Sequence, residues 1–202
     1  MKLYYSPGAC SLSPHIVLHE AGLAYEAVLA STKTHKLPDG TDFYTINPLG
    51  YVPVLELDDG TRLREGPAIV QYLADQAPQK SLAPANGTLG RYRLQEWLNF
   101  IATEIHKGFG PLFAPNTPEV YKPMVLERLR ARLQWLDGEL AGKQYLMGEQ
   151  FCVADAYLFT VSNWAQYVGL DISHLKNLVA YRERIAARPA VQTAMKAEGL
   201  LK

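Results

Sequence analysis

The chain has 202 residues, 48% hydrophobic and 20% charged, a length and balance that suit one sizeable core or two small ones. Its 20 basic and 20 acidic residues cancel, so the basic field of a nucleic-acid binder is missing, and no apolar run approaches the length that spans a bilayer. The N-terminus reaches Pro7-Gly8 without the apolar stretch of a signal peptide, and the two cysteines, Cys10 and Cys152, are too few for a disulfide framework, so a cytoplasmic protein with reduced thiols is expected.

In chain order, KLYY reads as a strand, and SLSPHIVLHEAG as a helix with Pro14 in its first turn and Gly22 as its C-cap. YEAVLA reads as a second strand, and residues 31–43 as loop or weak helix. In NPLGYVPVLELDDGTRLRE the alternation of VLEL, the DDG turn and the returning TRLRE predict a hairpin. GPAIVQYLADQAP predicts a helix closed by Pro78. The polar QKSLAPANGTLG then reads as a linker.

Everything beyond is helical in pattern. Leu94, Leu98, Ile101, Ile105 and Leu112 form one stripe, and Leu126, Leu129, Leu133 and Leu136 another in a helix starting near Pro123. VADAYLFTVSNWAQYVG is apolar nearly all round and predicts a fully surrounded helix. LVAYRERIAARPAV and QTAMKAEGLL complete the chain. The expected organisation is an α/β domain over residues 1–78, a linker over 79–87 and an all-helical domain over 88–202, with a small-molecule site in a cleft between the domains.

Four features carry chemistry. Cys10 stands where the first strand gives way to the first helix, a setting in which unpaired amides and the helix dipole stabilise a thiolate. Its C-x-x-S spacing to Ser13 lacks the second cysteine of a redox pair, so a mixed disulfide with a small thiol is open to it and an internal disulfide is not; a buried structural cysteine is the alternative. Pro53, at a strand start after a glycine turn, is a candidate cis-proline that would leave the Val52 backbone free to pair with an extended peptide, an ordinary trans proline being the alternative. Glu65-Gly66 opens a helix, where free amides suit a carboxylate and Glu65 suits an amine, although acidic residues are common there anyway. Asn99, Thr103 and His106 fall at i, i+4 and i+7 on one polar helix face; that face either lines the cleft, with His106 bonding a thiol or moving protons near neutral pH, or is simply solvated.

Taken together, YYSPGACSLSPHIVLHEAG, NPLGYVPVLELDDG, EGPAIVQYLAD, EWLNFIATEIHKGF and FCVADAYLF resemble the cytosolic glutathione transferases, most closely the bacterial beta class, and the resemblance covers essentially the whole chain. It implies a thioredoxin-like N-terminal domain, an all-α C-terminal domain and a homodimer with glutathione as co-substrate and no metal. It implies that Cys10 contacts the glutathione sulfur, that Val52 before cis-Pro53 pairs with the cysteinyl backbone, and that Glu65 and Gly66 meet the γ-glutamyl end. Asn99, Thr103, Glu104 and His106 are implied contributors from the helical domain, with Tyr5 and Ser11 weaker candidates.

Two departures stand out. His35 occupies the place of a lysine that contacts the glycyl carboxylate in related proteins, so the contact is expected to pass to His35 or Lys36, or to weaken. Cys152 replaces a Ser or Thr that caps a helix with Asp155, and cysteine is a poor cap acceptor, so Cys152 is read as structural. The expected activity is conjugation of glutathione to small hydrophobic electrophiles, catalysed with Cys10 and His106. Pro111, Phe113 and Tyr167 are expected near the electrophile. The competing readings are a glutathione-dependent thiol reductase or dehalogenase of aromatic-compound catabolism, and a non-catalytic binding protein of the same fold.

Overall fold

The structure is a computed structural model in which residues 1–201 are described. The chain forms two compact units: Met1–Ala83 joined by the segment from Arg188 onward, and Pro84–Ala187.

The first unit is a four-stranded mixed sheet with helices. Strands β1 (Lys2–Tyr5), β2 (Glu26–Leu29), β3 (Val54–Glu56) and β4 (Arg62–Arg64) lie in the order β2-β1-β3-β4. β1 pairs parallel with β2, through the crossover helix α1 (Leu12–Ala21), and antiparallel with β3. The β3–β4 hairpin is the one the VLEL/DDG/TRLRE pattern predicts, with Leu55 opposite Leu63. Side-chain alternation splits the sheet into two faces. Tyr4 and Val54, paired across strands, join Ala30, Phe43 and Val52 in one buried cluster. Leu3 and Leu55 face the other way and are fully buried, as are Ile16 and Val17 of α1 and Ile69, Val70 and Leu73 of α2 (Gly66–Asp75).

Gly22 ends α1 in the left-handed conformation, φ 68°, as its sequence position predicts. α2 stops at Asp75, and Pro78 opens a separate 3-10 turn, so the helix ends before that proline rather than at it. Helix α8 (Pro189–Ala197) packs on α1 within this same unit.

The second unit contains α3 (Leu89–Phe100), a π-helical segment (Ile101–His106), α4 (Lys107–Phe113), α5 (Lys122–Glu139), α6 (Val153–Ser162) and α7 (Lys176–Ala186). Every residue of α6 is buried, as its all-round apolar pattern predicts. In α5 the core row is Val125, Leu129, Leu133 and Leu136; Leu126 lies to one side, half-buried.

At two places the compact units divide the chain differently from the expected domains. Part of the segment read as a linker belongs to the helical unit. Thr88 caps α3 by accepting the Arg91 amide, and the Arg91 guanidinium reaches back to the Pro84 carbonyl at 2.7 Å. The last segment, read as the end of the helical domain, sits instead with the sheet unit, because Val191 and Ala194 of α8 bury against it and Arg188 pairs with Glu20 of α1. Helical periodicity reports an apolar face but not which surface will cover it.

Candidate functional site

In the first unit the sequence-derived candidates gather at the loop between β1 and α1 and at the start of β3. The loop is braced by Ser11, whose hydroxyl accepts the Ser6 amide at 3.1 Å and donates to the Ser6 carbonyl at 3.2 Å. Ser11 is fully buried, and its hydroxyl shapes the loop through these two bonds. Cys10 stands two residues ahead of α1, half-buried, and its carbonyl accepts the Ser13 amide. Its thiol donates to the Val52 carbonyl at 3.2 Å. Ser13, in the place of a second redox cysteine, is fully buried.

The Val52–Pro53 peptide bond is cis. The Val52 carbonyl accepts from Cys10, while no described residue accepts the Val52 amide. Tyr5 closes β1 half-buried; burial, and secondarily the negative charge of Glu198, hold its phenol protonated beyond the ordinary tyrosine range.

Glu65 is an exposed non-glycine residue with φ 66° and ψ 113°, immediately before α2. Side chains other than glycine rarely take that conformation, and holding one there costs on the order of 1–3 kcal/mol. Its carbonyl accepts the Ala68 and Ile69 amides, and the next residue, Gly66, stands first in the helix. The sequence marks the helix start but not this strain.

His35 and Lys36 differ in what they have free. The His35 Nδ1 lies 3.2 Å from the Gly50 carbonyl, which assigns its proton to Nδ1, and the ring packs tilted against Tyr44 with centroids 4.7 Å apart. In its neutral form the remaining Nε2 is an acceptor. Lys36 is exposed and keeps three ammonium donors.

In the second unit the residues of the polar face have different surroundings. Asn99 and Thr103 are exposed, and each bonds back to its own helix, Asn99 to the Gln95 carbonyl and Thr103 to the Asn99 carbonyl. Glu104 is drawn to α5, where Arg128 and Arg132 hold its carboxylate at 3.0 and 2.6 Å and keep it below the usual carboxylate range. His106 turns inward. The π-helical segment has a wider turn than an α-helix, so each residue advances through a smaller angle and position 106 slides toward the buried row. Its Nδ1 lies 2.6 Å from the Tyr157 hydroxyl and its ring meets the edge of Trp164 at 4.9 Å. Burial, with a smaller push from Lys107, lowers its pKa to about 4. The imidazole is therefore neutral near pH 7. Phe113 and Tyr167 are exposed, and Phe113 abuts Trp164 edge-on at 5.6 Å.

Sequence reasoning missed the partners: Tyr157 and Trp164 around His106, the two arginines on Glu104, and a buried pair of His15 with Glu198. His15 and His19 one turn apart on α1 were a visible signal, but the residue facing His15 lies 183 positions away. Among the described residues no cluster of His, Cys, Asp and Glu has the arrangement of a metal site, and no helix is long and apolar enough to cross a membrane.

Residues 8–76 match the N-terminal domain of glutathione S-transferases, and residues 100–189 match the C-terminal domain. The Escherichia coli O157:H7 glutathione S-transferase GstA is 49% identical over 200 residues, spanning 99% of this chain and 100% of its own. The chain belongs to the glutathione S-transferase family. Among solved structures, a sphingomonad glutathione S-transferase in complex with glutathione is 50% identical with a TM-score of 0.96, each chain covered in full. The bacterial beta class glutathione S-transferase of Sphingomonas chungbukensis gives the same identity, coverage and score. The family architecture, a thioredoxin-like domain with an all-α one, is that of this chain.

Proposed function

We propose that this transferase is a beta-class enzyme, cytoplasmic and homodimeric, that joins the glutathione thiol to small hydrophobic electrophiles. The observation that carries the reading is the Cys10 thiol at the head of α1, 3.2 Å from the Val52 carbonyl. Glutathione lies in the first unit with its cysteinyl backbone against the open Val52 amide and its γ-glutamyl end at Glu65 and Gly66. Its glycyl carboxylate goes to Lys36 rather than His35, because the His35 Nδ1 is already engaged by Gly50 and the Lys36 side chain is exposed. Ser11 braces the Cys10 loop, and Tyr5 serves as a protonated donor. His106 acts as a neutral hydrogen-bonding group. Glu104 contributes less than the resemblance implies, because Arg128 and Arg132 hold its carboxylate, while Asn99 and Thr103 each commit one donor to their own helix.

Two reactions share these parts. In conjugation the glutathione thiol loses its proton to solvent, its sulfur bonds to the electrophilic carbon, and the leaving group departs with the bonding electrons. In exchange the Cys10 thiolate attacks a glutathione disulfide and releases one glutathione. Cys10→Ala separates them. The variant is expected to keep much of the activity toward an activated aryl halide while losing the mixed disulfide seen by intact-protein mass spectrometry. Loss of conjugation with glutathione affinity intact would instead make Cys10 a covalent catalyst. No retention on immobilised glutathione and no turnover would favour a non-catalytic binding protein.

A further inference from the structure

The loop that carries Cys10 is also held from behind by the far end of the chain. Between β1 and α1, Gly8 adopts a left-handed conformation, φ 70°, and its amide donates to Glu198 Oε2 at 2.9 Å. A Cβ at Gly8 would meet Leu200 at 3.5 Å, so the loop lies directly against the C-terminal segment. Glu198 follows α8, and its side chain is fully buried. Its other oxygen, Oε1, lies 2.8 Å from Nδ1 of His15, whose side chain is 1% exposed. No described residue reaches His15 Nε2, so Nδ1 carries the donated proton and Glu198 is the polar partner of the ring. The rings of Tyr5, His19 and Tyr25 surround that imidazole at 5.4 to 5.5 Å.

A carboxylate removed from water destabilises a fold unless donors meet it. Glu198 is met by a backbone amide two residues before Cys10 and by an imidazole of the helix that Cys10 precedes. Both donors belong to the frame of the reactive thiol. Ser11 fixes the two ends of the loop through Ser6, and Glu198 fixes its middle. We propose that Glu198 is a positioning residue for Cys10: by accepting the Gly8 amide it fixes the loop that sets the Cys10 thiol against the Val52 carbonyl. His15 orients the carboxylate for that task. The inference rests on the reading above in which Cys10 is the thiol that meets glutathione.

The test follows formation of the Cys10 mixed disulfide in the full-length protein. The Cys10 thiol gives its proton to solvent, its sulfur attacks one sulfur of oxidised glutathione, the new S–S bond forms as the old one breaks, and reduced glutathione leaves. The rate is read by intact-protein mass spectrometry at a temperature where circular dichroism shows each variant folded. Glu198→Ala removes the acceptor. Glu198→Asp keeps the charge but falls one methylene short of Gly8, and so carries the test if the alanine variant does not fold. Glu198→Gln keeps an oxygen for Gly8 and offers its amide to His15 in the other tautomer.

Alanine and aspartate are expected to slow the reaction about tenfold or more, since small misplacements of a reacting group cost rate steeply. Glutamine is expected to stay within about threefold of wild type. A role confined to stapling the C-terminal segment would lower melting temperatures and leave the rates of the folded variants equal to wild type, which overturns the proposal. Wild type that forms no adduct on Cys10 would overturn the reading of Cys10 and this inference with it.

Discussion

His106 shows how surroundings set a side chain's chemistry. Its unfolded-state imidazole gains a proton as pH falls through about 6.5, whereas the folded protein resists until about 4, because the ring lies against Tyr157 and Trp164. Between those values the unfolded chain binds more protons, so stability present above about pH 6.5 is lost as pH falls toward 4. The contribution is at most about 3 kcal/mol. In His106→Gln, the loss of unfolding free energy between pH 7 and 4.5 in urea titrations should be smaller than in wild type by about 2 kcal/mol. An equal loss in both proteins would mean that the histidine titrates normally in the fold. Glu65 makes a related point by other means: its left-handed backbone is held by the helix behind it, through its carbonyl bonds to Ala68 and Ile69.

Among the elements, α6 gives the sharpest case of a local rule bent by one residue. Its N-terminus holds both halves of a capping box, with Asp155 accepting the Cys152 amide at 2.8 Å and the Cys152 sulfur facing the third-position amide. Asp155 also accepts the Leu146 amide and the Tyr181 hydroxyl, and complete burial pushes its carboxyl upward. Burial likewise pushes the Cys152 thiol well above its ordinary range, so it is no competitor to Cys10 as a nucleophile. Sulfur is a weaker acceptor than a hydroxyl oxygen. Cys152→Ser should therefore raise stability by about 0.5–1 kcal/mol, seen by calorimetry as a gain of roughly 2 °C; a lower melting temperature would show that sulfur volume outweighs cap strength.

Elements with strong local signals were legible in the sequence: the β3–β4 hairpin, the glycine cap of α1 and the apolar α6 all follow from their own residues. The π-helical segment did not show, because widening a helical turn depends on what packs against it, and with it went the inward turn of His106. At the candidate site, Cys10 and the Val52–Pro53 stretch were legible because turn, strand start and helix start are local features. The residues that complete them, Glu198 above all, lie too far along the chain for any periodicity to report.

At the scale of the whole molecule, the two ends of the chain are joined by charge as well as by apolar packing. Arg188 donates to Glu20 through Nε at 2.6 Å and through Nη2 at 2.9 Å, a two-pronged contact with both side chains mostly out of water. Removing one partner leaves a partly buried carboxylate without its fork of donors. Arg188→Ala is expected to cost about 1–2 kcal/mol. By differential scanning calorimetry that is roughly 2–8 °C. A change within error would assign the attachment of this segment to Val191 and Ala194 alone.

The return of α8 to the sheet unit carries a consequence for synthesis. A ribosome delivers the β-strands, the Cys10 loop and α1 early, but α8 and Glu198 emerge only after the whole 84–187 unit has been made. Until then the face of α1 that α8 covers is open to water, and the loop before it lacks its far-end acceptor. The helical unit has all of its own residues before the first unit does, so the part of the chain translated first is the part finished last.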